Sequence, residues 1–347
     1  MKWLAILLLV ILLAACKSDS AIVEAGESPE NAPVAEQVSE GYPVEETGTL
    51  EGVPIVEELP EEEPEKAAGM PAAGSALSFS WEKDSGQRVI DGSVPYVHSL
   101  KDGRVRLYYC GNGGILSAIS KDGMAFTKEQ GVRISPGTGF EAVVCDPTMV
   151  DLPDGRVRMY YKGADSMIPG PGNSIHKIFS AVSSDGLSFK KEGLRIDSET
   201  NGDNGWASVP DAIALPDGQV RLFYVTAAEM EHGIGSAISS DGLNFVKEPG
   251  IRVEKLVDPA VLLVGNTYLL FAASIDERFG SLPKGIYYLE SSDGFEFGKP
   301  VPVFQDSNVY DPSVLKIDDN TARVFYGKIT PPQKPSVESH TGHFQLP

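Results

Sequence analysis

The chain has 347 residues, 41% of them hydrophobic, and a formal net charge of -20 from 49 acidic against 29 basic side chains. That length and apolar content are enough for one large domain or two small ones. Lys and Arg are dispersed rather than gathered into a stripe that would neutralise phosphates, which excludes nucleic acid as a partner.

The N-terminal MKWLAILLLVILLAAC carries one Lys, then an apolar run shorter than the roughly 20 residues a membrane-spanning helix needs, then small residues before a cysteine. Residues 1–15 therefore read as a signal peptide. LLAAC resembles the lipobox of bacterial lipoproteins, in which the cysteine, here Cys16, is diacylated and becomes the mature N-terminus. The expectation is an exported protein of the cell envelope that meets the membrane only through its lipid. Lys17, rather than Asp, follows the cysteine, which in a Gram-negative host favours the outer membrane.

Residues 16–75 hold 14 Glu and one Asp against two Lys, with a single aromatic residue. Such a segment cannot bury enough apolar area to offset its ordering entropy, so it is expected to be a disordered, self-repelling linker. Most of the net charge belongs to it. Beyond it only Cys110 and Cys145 remain, and an oxidising compartment allows them to form a disulfide or to stay two buried thiols.

From residue 76 onward the sequence repeats. Five copies of a two-strand unit begin at VPYVHSLKDGRVRLYYC, CDPTMVDLPDGRVRMYYKG, VPDAIALPDGQVRLFYVT, VDPAVLLVGNTYLLFAAS and YDPSVLKIDDNTARVFYGK. Their shared prolines, Pro95, Pro147, Pro210, Pro259 and Pro312, lie 52, 63, 49 and 53 residues apart. A second hairpin with an Asp-Gly turn follows each of the first four units, as in ILSAISKDGMAFTKEQGVRI and IFSAVSSDGLSFKKEGLRID. Alternating apolar positions rich in β-branched and aromatic residues, broken by such turns, are strand signals. Two hairpins per repeat predict a four-stranded antiparallel blade, and five blades predict an all-β, five-bladed β-propeller over residues 76–347.

The fifth unit lacks its own second hairpin, whereas ALSFSWEKDSGQRVI, ahead of the first unit, matches the outer half of a blade. The N-terminal strand is thus expected to close the last blade, with TGHFQLP as the third strand, which leaves no open edge. The Asp-Gly turns lack the residue that sialidase Asp-boxes place between Asp and Gly, and read as structural turns. The recurring Arg133, Arg195 and Arg252 are expected to pair with neighbouring blade edges.

The turns between strands one and two, and between strands three and four, are short and share one side of the ring. The long connections, including SPGTGFEAVV, GADSMIPGPGNSIH, DSETNGDNGWAS, TAAEMEH and SIDERFGSLPKG, all reach the other side, which is therefore the functional face. The residue beside each proline opens an inner strand at the rim of the central channel on that face. Asp146, Asp258 and Asp311 should converge there, with Asp211 one residue beyond its proline and Val94 and Val209 in the remaining slots.

Blade number and the Asp-Pro rim give residues 76–347 a resemblance to the arabinanase, levansucrase and invertase superfamily of glycosidases. The resemblance implies a five-bladed propeller with three catalytic carboxylates from the first three blades. One acts as base or nucleophile, one tunes pKa and one is the general acid. Position by position the match is partial: Val94 stands in the first slot, Asp146 fills the second, and Ser208 occupies the place of the acid. Asp211, Asp258 and Glu141 are the candidate substitutes.

Two readings stay open. One is a binding module for a glycan or a surface protein, with Trp206, Phe140, Tyr96 and His176 on the loops as stacking and polar contacts and Asp311 on the rim. The other is a divergent glycoside hydrolase using Asp146 with Asp211, Asp258 or Glu141. No motif calls for a cofactor, although a rim of aspartates could hold a structural calcium ion in the central channel. The protein is expected to be a monomer.

Overall fold

Alternating apolar residues in each repeat put one face of every strand against the neighbouring blade, and the architecture follows from that demand. The computed structural model describes residues 78–166, 174–228, 232–275, 282–332 and 334–345. The signal peptide, Cys16, the acidic linker and the centres of three long loops (167–173, 229–231 and 276–281) lie outside the described residues.

Two strands, β1 (Ser78–Lys83) and β2 (Val89–Ile90), precede the first blade. Blade I contains β3 (Gly92–Ser99), β4 (Val105–Gly111), β5 (Gly114–Ser120) and β6 (Thr127–Lys128). A single 3-10 turn at Gly139–Glu141 leads into blade II, which is β7 (Val143–Asp151), β8 (Val157–Ala164), β9 (His176–Ser183) and β10 (Lys190–Ile196). Blade III is β11 (Ala207–Ala214), β12 (Val220–Thr226) and β13 (Gly233–Ser239), with an outer edge split into β14 (Val246–Lys247) and β15 (Val253–Glu254). Blade IV is β16 (Val257–Val264), β17 (Thr267–Ser274), β18 (Gly285–Ser291) and β19 (Val301–Gln305).

Blade V takes β20 (Val309–Asp318), β21 (Thr321–Thr330) and β22 (Lys334–Gln345) from the C-terminus, and β1 pairs antiparallel with β22 as its fourth strand. The inner strands touch in the cyclic order β3, β7, β11, β16, β20 and back to β3. The result is the closed five-bladed propeller expected from the repeats, with the last blade built from both ends of the described chain.

Buried tyrosines and phenylalanines fill the layers between blades, for example Tyr108, Met149 and Phe179 between blades I and II. Across four of the five seams the second strand also sends an arginine to the next blade's Asp-Gly turn. Arg106 donates to the Asp185 carbonyl (3.1 Å), Arg158 to Asp241 (3.0 Å), Arg221 to Asp293 (3.3 Å) and Arg323 to Asp122 (3.2 Å). The turns themselves hold their shape because Ser and Asp satisfy the local backbone: the Asp185 carboxylate accepts N–H bonds from Leu187 and Ser188, both 2.8 Å. A second arginine in blades I to III braces the same seams: Arg133 reaches the Leu187 carbonyl, Arg195 that of Leu243, and Arg252 lies over the Phe295 ring.

Every inner strand carries the same irregularity at its proline. The register slips between Ser93 and Tyr96, Cys145 and Thr148, Ser208 and Asp211, Val257 and Ala260, and Tyr310 and Ser313. These are β-bulges, two residues opposing one. The residue before each proline has a positive φ: 55° at Val94, 54° at Asp146, 46° at Val209, 58° at Asp258 and 48° at Asp311. This conformation costs an L-residue roughly 1–2 kcal/mol and is eased by Asp. In blades II, IV and V the slot residues are Asp146, Asp258 and Asp311, whose carboxyls converge.

Candidate functional site

Aspartate suits a bulge because its carboxylate can satisfy an N–H that the broken ladder leaves unpaired. Asp146 of blade II accepts the Val209 N–H of blade III (3.3 Å), and Asp258 of blade IV accepts the Asp311 N–H of blade V (3.2 Å). Asp146 is 4% exposed and is joined by Lys162, whose Nζ lies 2.8 Å from Oδ2. Burial works against the Lys162 ammonium, but Asp146, Asp311 and Asp258 outweigh it and raise its pKa above the ordinary lysine value. Three carboxyls and one ammonium therefore share the axis.

Burial and mutual repulsion act on these acids together. Burial, followed by the field of Asp146, pushes Asp258 up to about 7 against the help of the Asp311 N–H and Lys162. Burial, then Asp258 and Asp146, holds Asp311 well above the usual carboxylate range. Both shifts run the same way because each acid is buried and stands in the field of a like charge.

One step down the channel, Asp211 lines a cavity of about 40 Å³ with Tyr96, Ala260 and Ser313. Its carboxyl accepts the Thr148 hydroxyl (3.0 Å) and the Val261 N–H (2.6 Å), yet burial still pushes it up to about 7. Tyr96, expected on a loop, lies in β3 and donates its hydroxyl to the Met149 carbonyl inside the channel. Glu141 takes no part in the rim: it accepts the Tyr161 hydroxyl (2.7 Å) and pairs with Lys191 (2.9 Å).

On the blade II–III side of the rim His176 opens β9 and stacks on Trp206, with ring centroids 3.8 Å apart and an interplanar angle of 27°. The Nδ1 of His176 lies 3.1 Å from the Ser208 hydroxyl, and His232 stands edge-on to the indole at 5.6 Å. Burial, Lys162 and His232 together push His176 down to about 2, so the ring is neutral throughout the physiological range. Trp206 is half-buried, and Phe140 carries the Lys177 ammonium 4.0 Å above its ring. Cys110 and Cys145 form a disulfide between blades I and II, with Cα atoms 5.4 Å apart, and the Asp146 N–H lies 3.2 Å from the Cys110 Sγ.

Sequence reasoning brought Asp146, Asp258 and Asp311 to one rim but did not pair them with Lys162. Lys162 is largely buried among them, whereas Lys328, which ends the second strand of blade V, pairs with Asp306 (2.7 Å). The available signal was register: Lys162 lies opposite Cys145, immediately before the Asp146 slot. A calcium ion prefers an all-oxygen cage. With an ammonium already seated on Asp146, these rim side chains do not fit one.

No protein-family model matches the sequence, and no curated protein sequence does. The fold has solved relatives in shape. A thermostable family-43 glycoside hydrolase superimposes with a TM-score of 0.59 at 16% identity, covering 74% of this chain and 91% of the other. A family 117 glycoside hydrolase from the marine bacterium Zobellia galactanivorans gives 0.57 at 17% identity, covering 78% and 91%. An α-L-arabinofuranosidase from Lactobacillus brevis gives 0.57 at 14% identity, covering 72% and 91%. The chain shares the five-bladed fold of these glycoside hydrolases.

Proposed function

We propose that this chain is an exported, lipid-anchored carbohydrate-binding module, a glycosidase-like propeller that holds a glycan at the cell envelope without cleaving it. The observation that carries this reading is the state of Asp146. Its carboxylate is occupied by Lys162 and the Val209 N–H and is almost inaccessible, while Val94 and Ser208 fill the two other slots where the glycosidase superfamily places carboxylates. Hydrolysis needs two carboxyl groups flanking an open bond, roughly 5 to 9.5 Å apart. The stacked Trp206 and His176 beside the axis supply the aromatic wall that a sugar ring packs against. Anchorage through Cys16 rests on the lipobox and places the propeller on an acidic tether.

The competing hydrolase reading draws on Asp258 and Asp311, two rim acids joined by the Asp311 N–H and both raised above the usual carboxylate range. Both readings are tested by screening the full exported chain against a broad glycan array and assaying every bound glycan for release of reducing ends. Binding without turnover is expected, and Trp206→Ala should weaken it at least tenfold. Turnover that disappears in Asp146→Asn would overturn the binding reading.

A further inference from the structure

Four blades carry a tyrosine at one place in the second strand and a lysine at one place in the outer strand, and in three of them a single carboxylate joins the two. In blade II Glu141 accepts the Tyr161 hydroxyl (2.7 Å) and meets Lys191 (2.9 Å). In blade III Asp203 accepts the Tyr224 hydroxyl (3.3 Å) and meets Lys247 (2.5 Å). In blade V Glu338 accepts the Tyr326 hydroxyl (3.4 Å) and meets Lys83 (2.8 Å). Blade IV has Ala272 at the tyrosine position.

Blade I keeps both donors, Tyr109 and Lys128, without the acid. Among the described residues no carboxylate lies within ion-pair distance of Lys128, whose Nζ donates to the Ile90 carbonyl (3.0 Å), and the buried Tyr109 has no acceptor for its hydroxyl. Topology accounts for the difference. Glu141 and Asp203 ride on the long connections into blades II and III, whereas β2 passes into β3 through Asp91 alone. Glu338 belongs to the third strand of blade V, opposite Tyr326, and the residue opposite Tyr109 in blade I is Leu116.

A cavity of about 250 Å³ lies at this seam. Lys128 and its ladder partner Ala118 line it with Arg88, Val89, Ile90 and Phe126, and no acid does. Val89 and Ala118 pack in the same apolar cluster as Tyr109. Arg88 is 5% exposed and donates to the neutral carbonyls of Ser85, Gly86 and Met124, while its Nε–H has no partner among the described residues. Arg133 and Arg252 share that bare Nε–H, so the tyrosine and lysine without their acid, beside a cavity, are what set this seam apart. Two cations over an apolar floor call for an anion, because a desolvated charge without a counter-charge is costly.

We infer that the seam between blades V and I is a second binding site, for a small organic carboxylate with a compact apolar body. The ligand's carboxylate accepts the Tyr109 hydroxyl and the Lys128 ammonium, in the place that Glu141, Asp203 and Glu338 hold in the other blades. Its apolar part lies against Val89, Ile90 and Phe126. Charge complementarity selects the anion, and the cavity volume suits a molecule of a few carbons rather than a chain segment. The site uses the outer strands of blades V and I and does not rest on the glycan reading.

Benzoate is the test ligand, benzamide its uncharged counterpart of the same shape, and a blocked Gly-Glu-Gly tripeptide the carboxylate borne on a chain. Each is titrated against the full exported chain by NMR, following the resonances of Ile90, Phe126 and Lys128. Benzoate should shift these saturably, and benzamide and the tripeptide should not. Lys128→Gln and Tyr109→Phe should each weaken benzoate at least about tenfold, as the loss of one charge-assisted hydrogen bond implies. Leu116→Glu supplies the acid at the place of Glu338 and should abolish benzoate binding, whereas Leu116→Gln should leave it in place.

No saturable shift at this seam would overturn the inference. So would equal binding of benzamide, which makes the cavity merely apolar, or tighter binding of the tripeptide, which assigns it to a partner chain. Benzoate affinity unchanged in Lys128→Gln would break the analogy with the other blades and overturn it as well. Should Leu116→Glu fail to fold, the Lys128→Gln and Tyr109→Phe titrations decide alone.

Discussion

Asp146 shows how a side chain singled out as a catalytic candidate by sequence is tied into the scaffold around it. Its positive φ, its bulge and its ion pair to Lys162 lie within blade II, and its bond to the Val209 N–H joins blade II to blade III. Removing one partner of a buried pair leaves an uncompensated charge, which typically costs about 3–5 kcal/mol. Lys162→Met should therefore destabilise the protein by about that much in urea unfolding, and Lys162→Met combined with Asp146→Asn should recover much of the loss. Additive losses in that double-mutant cycle would mean that the two residues act independently. The sequence carried the Asp-Pro slot in plain view, but nothing local says that a lysine sixteen positions later folds back onto it.

At the level of elements, the repeated arginines form a chain of seam clamps with an instructive gap. Blade IV has Tyr268 where the other blades have Arg106, Arg158, Arg221 and Arg323, and Pro302 where they carry the second arginine. Its neighbour, blade V, has no Asp-Gly turn between its third and fourth strands, because those strands are β22 and β1, from opposite ends of the propeller sequence. An arginine there would have no turn carbonyl to reach. Aromatic packing replaces it, with Phe304 of blade IV stacked on His340 of blade V at 4.0 Å. The clamp proper also uses a carboxylate from its own blade: Glu129, Glu192 and Glu248 in blades I to III, and Asp84 from the N-terminal segment in blade V. Arg158→Met should strand Glu192 and loosen the seam between blades II and III, at about 2–4 kcal/mol in denaturant unfolding. Amide exchange should accelerate in the turn between β13 and β14 and leave the β18–β19 turn unchanged; uniform acceleration would argue against a seam-specific clamp.

Across the whole molecule, the axial acids set a pH dependence of definite sign. Asp211 and Asp258 are raised to about 7, and Asp311 also lies well above its ordinary value. Between the unfolded carboxylate range near pH 4 and these folded values, the native state holds more protons than the unfolded chain, so their contribution to stability falls as pH rises. The turn aspartates act in the opposite direction: backbone N–H bonds lower Asp122 to about 2, and N–H bonds outweigh burial to lower Asp185 to about 2, so that contribution fades only below about pH 4. The melting temperature should therefore rise from pH 8 to about pH 5 and drop at stronger acidity. A flat or rising profile between pH 5 and 8 would show that the axial carboxyls ionise normally in the fold.

The five-fold repeat, the four-stranded blades, closure by the N-terminal strand and the convergence of three Asp-Pro slots were legible in the sequence, because each is written in local periodicity, turn chemistry and spacing. Even the arginine-to-carbonyl seams were foreshadowed by residues recurring at fixed places in successive blades. Only the tertiary structure decided what the slots do. Whether Asp146 reaches the Val209 N–H and whether Asp258 caps the bulge of the next blade depend on distances between residues of different blades. Desolvation there raises the pKa of Asp211, Asp258 and Asp311, and it is a property of the assembled ring rather than of any one segment. The same geometry drew Tyr96 into the channel and set Trp206 on His176, which no strand pattern specifies.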